Sequence, residues 1–270
     1  MTAAEKLPEG PSVANPLRGT GRPERGAYRL ADGTKPTSVS SICERWSGSD
    51  SGGLIYAASK IAATHALRAM ERGRTDIDAI VRSSTGAARI EWGKAADVGT
   101  AVHEAIEAEL WGASPGDELM GAMIRVDPPF DLDVERALRA WRKWRDEDEW
   151  GASLQTVATE VAMVSEKLRI GGTVDWVAHD GASLVVADFK TSKSPRLSHI
   201  IQGTIYALMW EELYGQDVEE IAVIRIPKTG GPVEVIRAGG KTLESHKRAA
   251  TALVKADHWG KAAKRMHRLA

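Results

Sequence analysis

The feature that most constrains the fold is a block of three β-rich segments in the middle of the chain. The segments cover 154–165, 168–180 and 184–192. A Gly-Ala-Ser sequence at 181–183 separates the last two segments and is typical of a turn. The pattern therefore predicts three consecutive strands, of which the last two form an antiparallel hairpin.

The residues after this block extend the predicted sheet. Apolar side chains recur at helical spacing over 197–214, and Gly215 is a suitable helix stop. Two more β-rich segments, 219–228 and 232–238, are joined by a Gly-Gly turn, and a helix begins near Lys241. This order predicts an α/β fold with a central mixed sheet flanked by helices.

The first 150 residues are predicted to be mostly helical. Four segments carry helical spacing, the second of them with Thr75 as its predicted cap: 54–72, 76–89, 95–111 and 132–150. Residues 1–38 are rich in Pro, Gly and charged side chains and should be flexible. The predicted organisation is a flexible segment at 1–38, a helical part at 39–150, a sheet core at 151–240 and a basic helix at 241–270, with 95–270 packing as one domain.

Composition excludes several classes of protein. The chain has 270 residues, a net charge of −1 and a single cysteine, Cys43, which excludes an intramolecular disulfide and a four-cysteine iron–sulfur cluster. No apolar stretch approaches the roughly 20 residues of a membrane span, and the N-terminus lacks the apolar core of a signal peptide. We therefore predict a cytoplasmic protein with no membrane association.

The strongest candidate site combines Asp175, Asp188 and Lys190. Side chains alternate along a strand, so Asp188 and Lys190 share a face while Phe189 points to the other. Across the predicted hairpin, Asp175 can lie beside Asp188. Buried charges cost several kcal/mol each unless they are paired or bind a metal. The residues alone leave two alternatives open: a Lys–Asp ion pair at a strand end, or a Mg²⁺ site.

Three further candidates are weaker when taken singly. His103 and Glu107 share one helix face, and a neutral imidazole can bind a metal. Gln202 and Tyr206 also lie four residues apart on the helix that follows Lys190. Glu160 either adds a carboxylate or lies at a strand edge. For the two helical pairs, the alternative is an ordinary surface or core position.

The order of these motifs resembles the RecB-like branch of the PD-(D/E)XK nuclease superfamily. Five elements occur in the order of that branch over residues 96–210: Gly99 to His103, Glu160, Gly172 to Asp175, Asp188-Phe189-Lys190-Thr191, and Gln202 to Tyr206. The N-terminal residues 36–63 are more loosely similar to phage-encoded and CRISPR-associated RecB-like exonucleases. Many of those relatives carry a four-cysteine iron–sulfur cluster, which this chain cannot form with Cys43 alone.

The resemblance implies a role for each matched residue. His103, Asp175, Asp188 and the backbone carbonyl of Phe189 would bind Mg²⁺ or Mn²⁺. Lys190 would act on the attacking water, and the remaining matched residues, Glu160, Gln202 and Tyr206, would support the site. The implied activity is metal-dependent hydrolysis of DNA from an end, as in phage or bacterial recombination and repair, in the cytoplasm of a bacterial host if the protein is phage-encoded.

Positive charge in a chain of net charge −1 must be concentrated if the chain binds DNA. Residues 241–270 contain eight Lys or Arg against two acids. Contacts to DNA phosphates are predicted for five residues: Lys193, Arg196, Lys261, Lys264 and Arg265. The chain lacks the phosphate-binding loop of a helicase, so the candidate protein partners are a helicase or a single-strand annealing protein.

Two other functions remain open at this point. The same site would serve a structure-specific or flap endonuclease, which needs an open groove instead of a channel for a strand end. A non-enzymatic alternative is a DNA-binding subunit that has lost catalysis. Such a subunit normally lacks a residue of the acidic pair or the lysine, whereas this sequence keeps all of them. The sequence does not discriminate single- from double-stranded DNA, the cleavage polarity or the oligomeric state.

Overall fold

The computed structural model describes residues 10–21, 23, 27–46 and 51–267, with the side chains of 51–55 left out. The chain divides into two compact units. The first, here called the sheet unit, comprises Met1–Ser47 and Arg136–Ala270, and the second, the helical unit, comprises Gly48–Glu135. The domain organisation predicted from the sequence stays a prediction.

Helices and strands are numbered in chain order. They are β1 (Leu17–Arg18), β2 (Thr37–Ser38), α1 (Val39–Trp46), α2 (Ser51–Glu71), α3 (Ile77–Thr85), α4 (Ala87–Leu110), α5 (Pro115–Ile124), α6 (Asp131–Glu147), α7 (Glu149–Ser153), β3 (Gln155–Ser165), β4 (Ile170–His179), β5 (Leu184–Lys190), α8 (Leu197–Tyr214), β6 (Glu220–Arg225), β7 (Glu234–Gly239) and α9 (Gly240–His267).

The helical unit corrects one predicted helix. The side chain of Asp76 accepts a hydrogen bond from the backbone N–H of Ala79 at 3.0 Å and caps α3. The prediction of Thr75 as the cap is therefore wrong, because the carboxylate one residue later makes the capping bond. The helix also ends at Thr85 instead of residue 89, since Gly86 interrupts it before α4 begins.

The sheet unit contains a seven-stranded mixed sheet with the order β1-β3-β4-β5-β6-β7, while β2 pairs with β4. Neighbours β3, β4 and β5 are antiparallel, β5 and β6 are parallel, and β7 is antiparallel to β6. The predicted hairpin across 181–183 and the predicted α/β fold, with a mixed sheet flanked by helices, are confirmed. Both β1 and β2 fall within the stretch 1–38.

Helix α8 connects the parallel strands β5 and β6, as a parallel pair requires. It packs against β3, β4, β5 and β6. Ile205, Met209 and Trp210 of this helix are fully buried in the main core. Gly215 ends the helix in the left-handed conformation, φ +64°, so the predicted stop is confirmed.

A second group of aromatic side chains joins α6 to the sheet. The rings of Trp176 and Phe189 stack with centroids 5.8 Å apart, and Trp141 packs edge-on against both. Trp176 is therefore a core residue, and it is completely buried, as is Trp210 of α8. The helix predicted over 132–150 is wrong in one respect: Asp148 divides it by capping α7, where it accepts from the N–H of Gly151.

Within the part of the chain that the structure describes, no helix is both long enough and apolar enough to cross a membrane.

Candidate active site

Three acidic residues lie at the same level on three adjacent strands of the sheet. On β3, Thr159 and Val161 pair with Trp176 and Val174 of β4, so Glu160 lies opposite Asp175. The pairing of β4 with β5 ends at Trp176 and Ala187, and one more residue in that register brings Asp175 opposite Asp188. Directly opposite residues on antiparallel strands have Cβ atoms about 5 Å apart. We call Glu160, Asp175 and Asp188 the carboxylate row.

Glu160 and Asp175 approach each other closely. A carboxylate oxygen of one lies within 4.8 Å of a carboxylate oxygen of the other. Glu160 also has a backbone φ of +48°, in the left-handed region that non-glycine residues rarely adopt. Strained backbone of this kind clusters at functional sites and is held there by the surrounding structure.

Asp175 is fixed by the backbone of the neighbouring strand. Its side chain is 7% exposed, and its Oδ2 accepts a hydrogen bond from the N–H of Phe189 at 2.9 Å. The bond holds the carboxylate against the strand that carries Asp188 and Lys190. The sequence prediction that Asp175 lies beside the Asp-Phe-Lys segment agrees with this contact.

Asp188 and Lys190 form an ion pair on one face of β5. Asp188 is completely buried, and the Nζ of Lys190 contacts its Oδ2. The Lys190 side chain keeps 19% of its surface exposed, so its ammonium group is still accessible. Of the two alternatives left open by the residues, the ion pair is present, and it lies beside two further carboxylates. Several carboxylate oxygens in one place are the ligands that Mg²⁺ and Mn²⁺ prefer, so the donor set fits such an ion.

Two residues near this pair were not singled out by the sequence. Burial raises the pKa of the Cys43 thiol to about 12, and the negative charge of neighbouring Asp188 adds to that shift. Burial also lowers the pKa of His199 to about 4, helped by the positive charge of Lys190. Cys43 is therefore a protonated thiol and no nucleophile. Neither residue belongs to a spacing pattern, so no sequence signal marks it.

Tyr206 packs against the start of the Gly-x-x-Asp segment, and Gln202 bonds to the tyrosine. The Gln202 amide donates a hydrogen bond to the Tyr206 hydroxyl at 3.2 Å. A Cβ atom at Gly172 would lie only 2.7 Å from Cε1 of Tyr206 and 3.0 Å from a methyl group of Val39. Gly172 is therefore required for close approach of the Tyr206 ring to β4, which gives the glycine of this motif a steric explanation.

His103 belongs to the helical unit. It lies on α4, half-buried, with Glu107 one turn further along the same helix. Its role as a metal ligand stays a prediction, as does that of the Phe189 carbonyl.

The five predicted phosphate contacts differ in accessibility. Lys193 and Arg196 are exposed and follow β5, with Arg196 at the N-cap of α8. Lys264 and Arg265 are exposed near the end of α9. Lys261 is half-buried in the same helix.

The Nζ of Lys261 is 3.0 Å from an oxygen of buried Asp257 and donates to the hydroxyl of Thr37 at 2.8 Å. Arg45 of α1 contacts the other oxygen of the same carboxylate. These contacts join α9 to α1 and β2, so Lys261 contributes to the packing of the sheet unit besides any contact with DNA.

Comparisons with known proteins agree with this geometry. A model of the PD-(D/E)XK nuclease superfamily matches residues 79–269, more than two thirds of the chain. None of the curated proteins matches the chain significantly. A solved structure titled "Crystal structure of SSO0001" is similar at 18% sequence identity, covers 59% of this chain and 74% of that chain, and has a TM-score of 0.28. Because that TM-score is low, the family match and the site geometry carry the functional argument.

Proposed function

Because this chain belongs to the PD-(D/E)XK nuclease superfamily, a superfamily of metal-dependent nucleases, we propose that it is a Mg²⁺- or Mn²⁺-dependent DNA exonuclease. The observation that carries the proposal is the carboxylate row beside Lys190. A fold that buries Asp188 and most of Asp175, and strains the backbone at Glu160, pays in stability for an arrangement that suits a divalent ion.

The residues of the row have distinct tasks in this proposal. Asp175, Asp188, His103 and the carbonyl of Phe189 hold the ion, and Glu160 adds a carboxylate beside Asp175. When bound, the ion supplies Lewis-acid activation of the scissile phosphate and a more acidic water. The hydrogen bond from the Phe189 N–H keeps one oxygen of Asp175 in place, so the carboxylate needs little reorganisation to bind.

Lys190 provides the hydrogen-bond donor of the site. Its Nζ is held by the Asp188 carboxylate while part of the side chain remains exposed. An ammonium group donates hydrogen bonds only, so it orients the attacking water and stabilises negative charge on the phosphate oxygens. Gln202 and Tyr206 support the site from α8 and hold the substrate strand.

We also propose that the chain belongs to the RecB-like branch of the superfamily. The five motifs in their order support this assignment. The Tyr206 ring packs directly against Gly172, so the residues of two of these motifs are in contact. The corresponding biological role is recombination or repair in a phage or its bacterial host. A helicase or a single-strand annealing protein is the proposed partner for DNA that must first be opened or subsequently annealed.

A digest of DNA substrates that differ in strandedness and in whether they have free ends tests the proposal. The purified chain is incubated with end-labelled linear single-stranded DNA, linear duplex DNA and closed circular duplex DNA, each with Mg²⁺, Mn²⁺ or EDTA. We expect linear DNA to be degraded from its ends with Mg²⁺ or Mn²⁺, circular DNA to remain intact, and EDTA to stop the reaction.

Two other results would replace the proposal by one of its alternatives. Cleavage of closed circles, or release of internal fragments before terminal nucleotides, would identify an endonuclease. Metal-independent DNA binding without any cleavage under all conditions would identify a non-catalytic DNA-binding subunit. Labels on the 5′ and the 3′ end are compared in parallel, so the same digest also reports the polarity.

A further inference from the structure

A basic cavity lies at the start of β4, five residues before Asp175 of the carboxylate row. Its volume is about 320 Å³. Three separate stretches of the sheet unit form it: the segment before α1, the turn between β3 and β4, and the last third of α9. The lining residues are Leu30, Thr34, Lys35, Thr37, Arg169, His258, Lys261 and Arg265.

Positive charge dominates this cavity. Four of its lining residues are Lys or Arg, and no acidic residue is among the described ones that line it. Asp32 and Asp257 lie beside it and pair with Arg169 and Lys261 at 2.8 and 3.0 Å. Lys35 and Arg265 are exposed at its rim, so the cavity retains a net positive charge.

His258 adds an imidazole to the wall of the cavity. Its Nε2 atom is buried and has no hydrogen-bond partner among the residues that the structure describes. Leaving a buried polar atom without a partner is unfavourable. A ligand with oxygen acceptors in the cavity would satisfy this nitrogen when it carries a proton, and it could also accept from the hydroxyl group of Thr37.

Arg169 occupies a backbone position that favours glycine. Its φ is +52°, and it immediately precedes β4. A glycine would adopt this conformation without steric strain. The arginine is therefore kept at a conformational cost, and its planar guanidinium group is the side chain best suited to bind phosphate with two parallel hydrogen bonds.

The position of the cavity relative to the carboxylate row follows from the register of β4. Thr37 pairs with Ile170 at the cavity end of the strand, and Asp175 lies five residues further along. At about 3.3 Å per residue, the two sites are separated by about 17 Å. The phosphates of one strand of duplex DNA advance by about 3.4 Å per nucleotide along the helix axis, and an extended single strand advances further per nucleotide, so about five nucleotides or fewer span this separation.

We propose that the basic cavity binds a backbone phosphate of the DNA strand within about five nucleotides of the bond that is cleaved. This inference rests on the proposed nuclease function. The cavity holds the strand by charge and hydrogen bonds without reading its sequence, and it supplies affinity only to substrates long enough to reach it from the carboxylate row.

Substrate length separates this role from a general loss of activity. Oligothymidines of 4 and 15 nucleotides are incubated with Mg²⁺ and either the parent chain, Arg169→Gln or Lys35→Gln, and the cleavage kinetics are measured. We expect each variant to lose about tenfold in kcat/KM on the 15-mer, mainly through KM, and less than twofold on the 4-mer. Lys167→Gln is the matched control, since it removes an exposed positive charge from the same turn outside the cavity, and should change either value less than twofold.

Binding without divalent metal provides a readout that does not depend on cleavage. Fluorescence anisotropy of the labelled 15-mer gives the affinity at several salt concentrations. We expect the slope of log K against log salt to become about 0.7 smaller for Arg169→Gln than for the parent, the value for one lost phosphate contact on a single strand. Thermal unfolding midpoints within about 3 °C of the parent establish that both variants are folded.

The outcomes distinguish the two proposals. If the parent cleaves neither oligonucleotide but the salt slope falls as described, the nuclease function fails and the phosphate site stands. If Arg169→Gln and Lys35→Gln match Lys167→Gln in salt slope, or impair both lengths equally, the cavity does not hold the DNA backbone.

Discussion

The backbone N–H of Phe189 donates a hydrogen bond to the Asp175 carboxylate at 2.9 Å, across two neighbouring strands of the sheet. The bond joins the Gly-x-x-Asp segment to the Asp-Phe-Lys segment at the centre of the carboxylate row. The Phe189 side chain points to the other face of β5, where its ring packs with Trp141 and Trp176. One residue thus serves the aromatic core through its side chain and the candidate site through its backbone.

This relationship predicts the effect of Asp175→Asn. The amide oxygen of asparagine can accept the same hydrogen bond from Phe189, so the fold should be retained, but the charge that binds a cation is lost. We expect cleavage of linear DNA with Mg²⁺ to fall at least about 100-fold, with the thermal midpoint almost unchanged. Asp217→Asn, which removes an exposed carboxylate, should cleave at the parental rate. An active Asp175→Asn enzyme would exclude Asp175 from the site.

We expect Glu160→Gly to raise the stability of the chain and to lower its cleavage activity. The Glu160 φ of +48° suits glycine, so Glu160→Gly should relieve strain and raise the free energy of unfolding by about 1 kcal/mol in EDTA. Glu160→Ala removes the same carboxylate but keeps the unfavourable backbone conformation. The difference between the two variants in urea unfolding isolates the backbone contribution. Equal stabilities for glycine and alanine would contradict a strained backbone here.

We expect a substitution at Gly172 to lower the stability of the chain. A methyl group at this position would lie 2.7 Å from the Tyr206 ring, so Gly172→Ala should lower the free energy of unfolding by about 1–3 kcal/mol. It should also reduce cleavage, since the ring and its hydrogen bond to Gln202 must move. Gly260→Ala on α9 is the control, because nothing lies within 4 Å of its added methyl group, and it should stabilise the helix by about 0.5–1 kcal/mol. Chemical denaturation measures both changes.

His199 predicts a pH dependence of stability. Burial, followed by the charge of Lys190, lowers the pKa of its imidazole from 6.5 to about 4 in the folded chain. Between these values the unfolded chain binds a proton on His199 that the folded chain does not, so the free energy of unfolding decreases as the pH falls from about 6.5 to about 4. Above 6.5 this contribution is constant.

His199→Gln should remove that part of the pH dependence. The Nδ1 of His199 accepts a hydrogen bond from the N–H of Arg196 at the start of α8, and glutamine at the same helix position makes the equivalent bond. Urea unfolding at pH 4.5 and pH 7 compares the two proteins. An unchanged difference between the two pH values would show that the imidazole is not responsible.

Local patterns in the sequence were sufficient to predict five strands of the sheet, β3 to β7, and much of the site, but not the short strands β1 and β2 within 1–38. Alternation along β5 places Asp188 and Lys190 on one face, and the short turn at 181–183 fixes their register against Asp175. These features depend on neighbours in sequence or on one hairpin. Helix ends were predicted less well, because a single side chain such as Asp76 or Asp148 decides where a helix begins.

Features that combine distant residues could not be predicted. The basic cavity joins Lys35, Arg169 and His258, which share no spacing pattern and meet only through the tertiary fold. The strain at Glu160 likewise depends on how three strands pack together. The contact of Gly172 with Tyr206 had a sequence signal in the motif order, but its steric cause became clear only from the packing.

The proposed function requires that the carboxylate row and Lys190 together hydrolyse DNA with a divalent ion. The decisive experiment measures the initial rate of nucleotide release from end-labelled linear DNA with Mg²⁺ for the parent and for Lys190→Ala, alongside DNA binding without metal. We expect the variant to lose at least about 1,000-fold in rate while its affinity for DNA stays within about threefold of the parent. Release at the parental rate by Lys190→Ala, with Mg²⁺ or Mn²⁺, would contradict the proposed function.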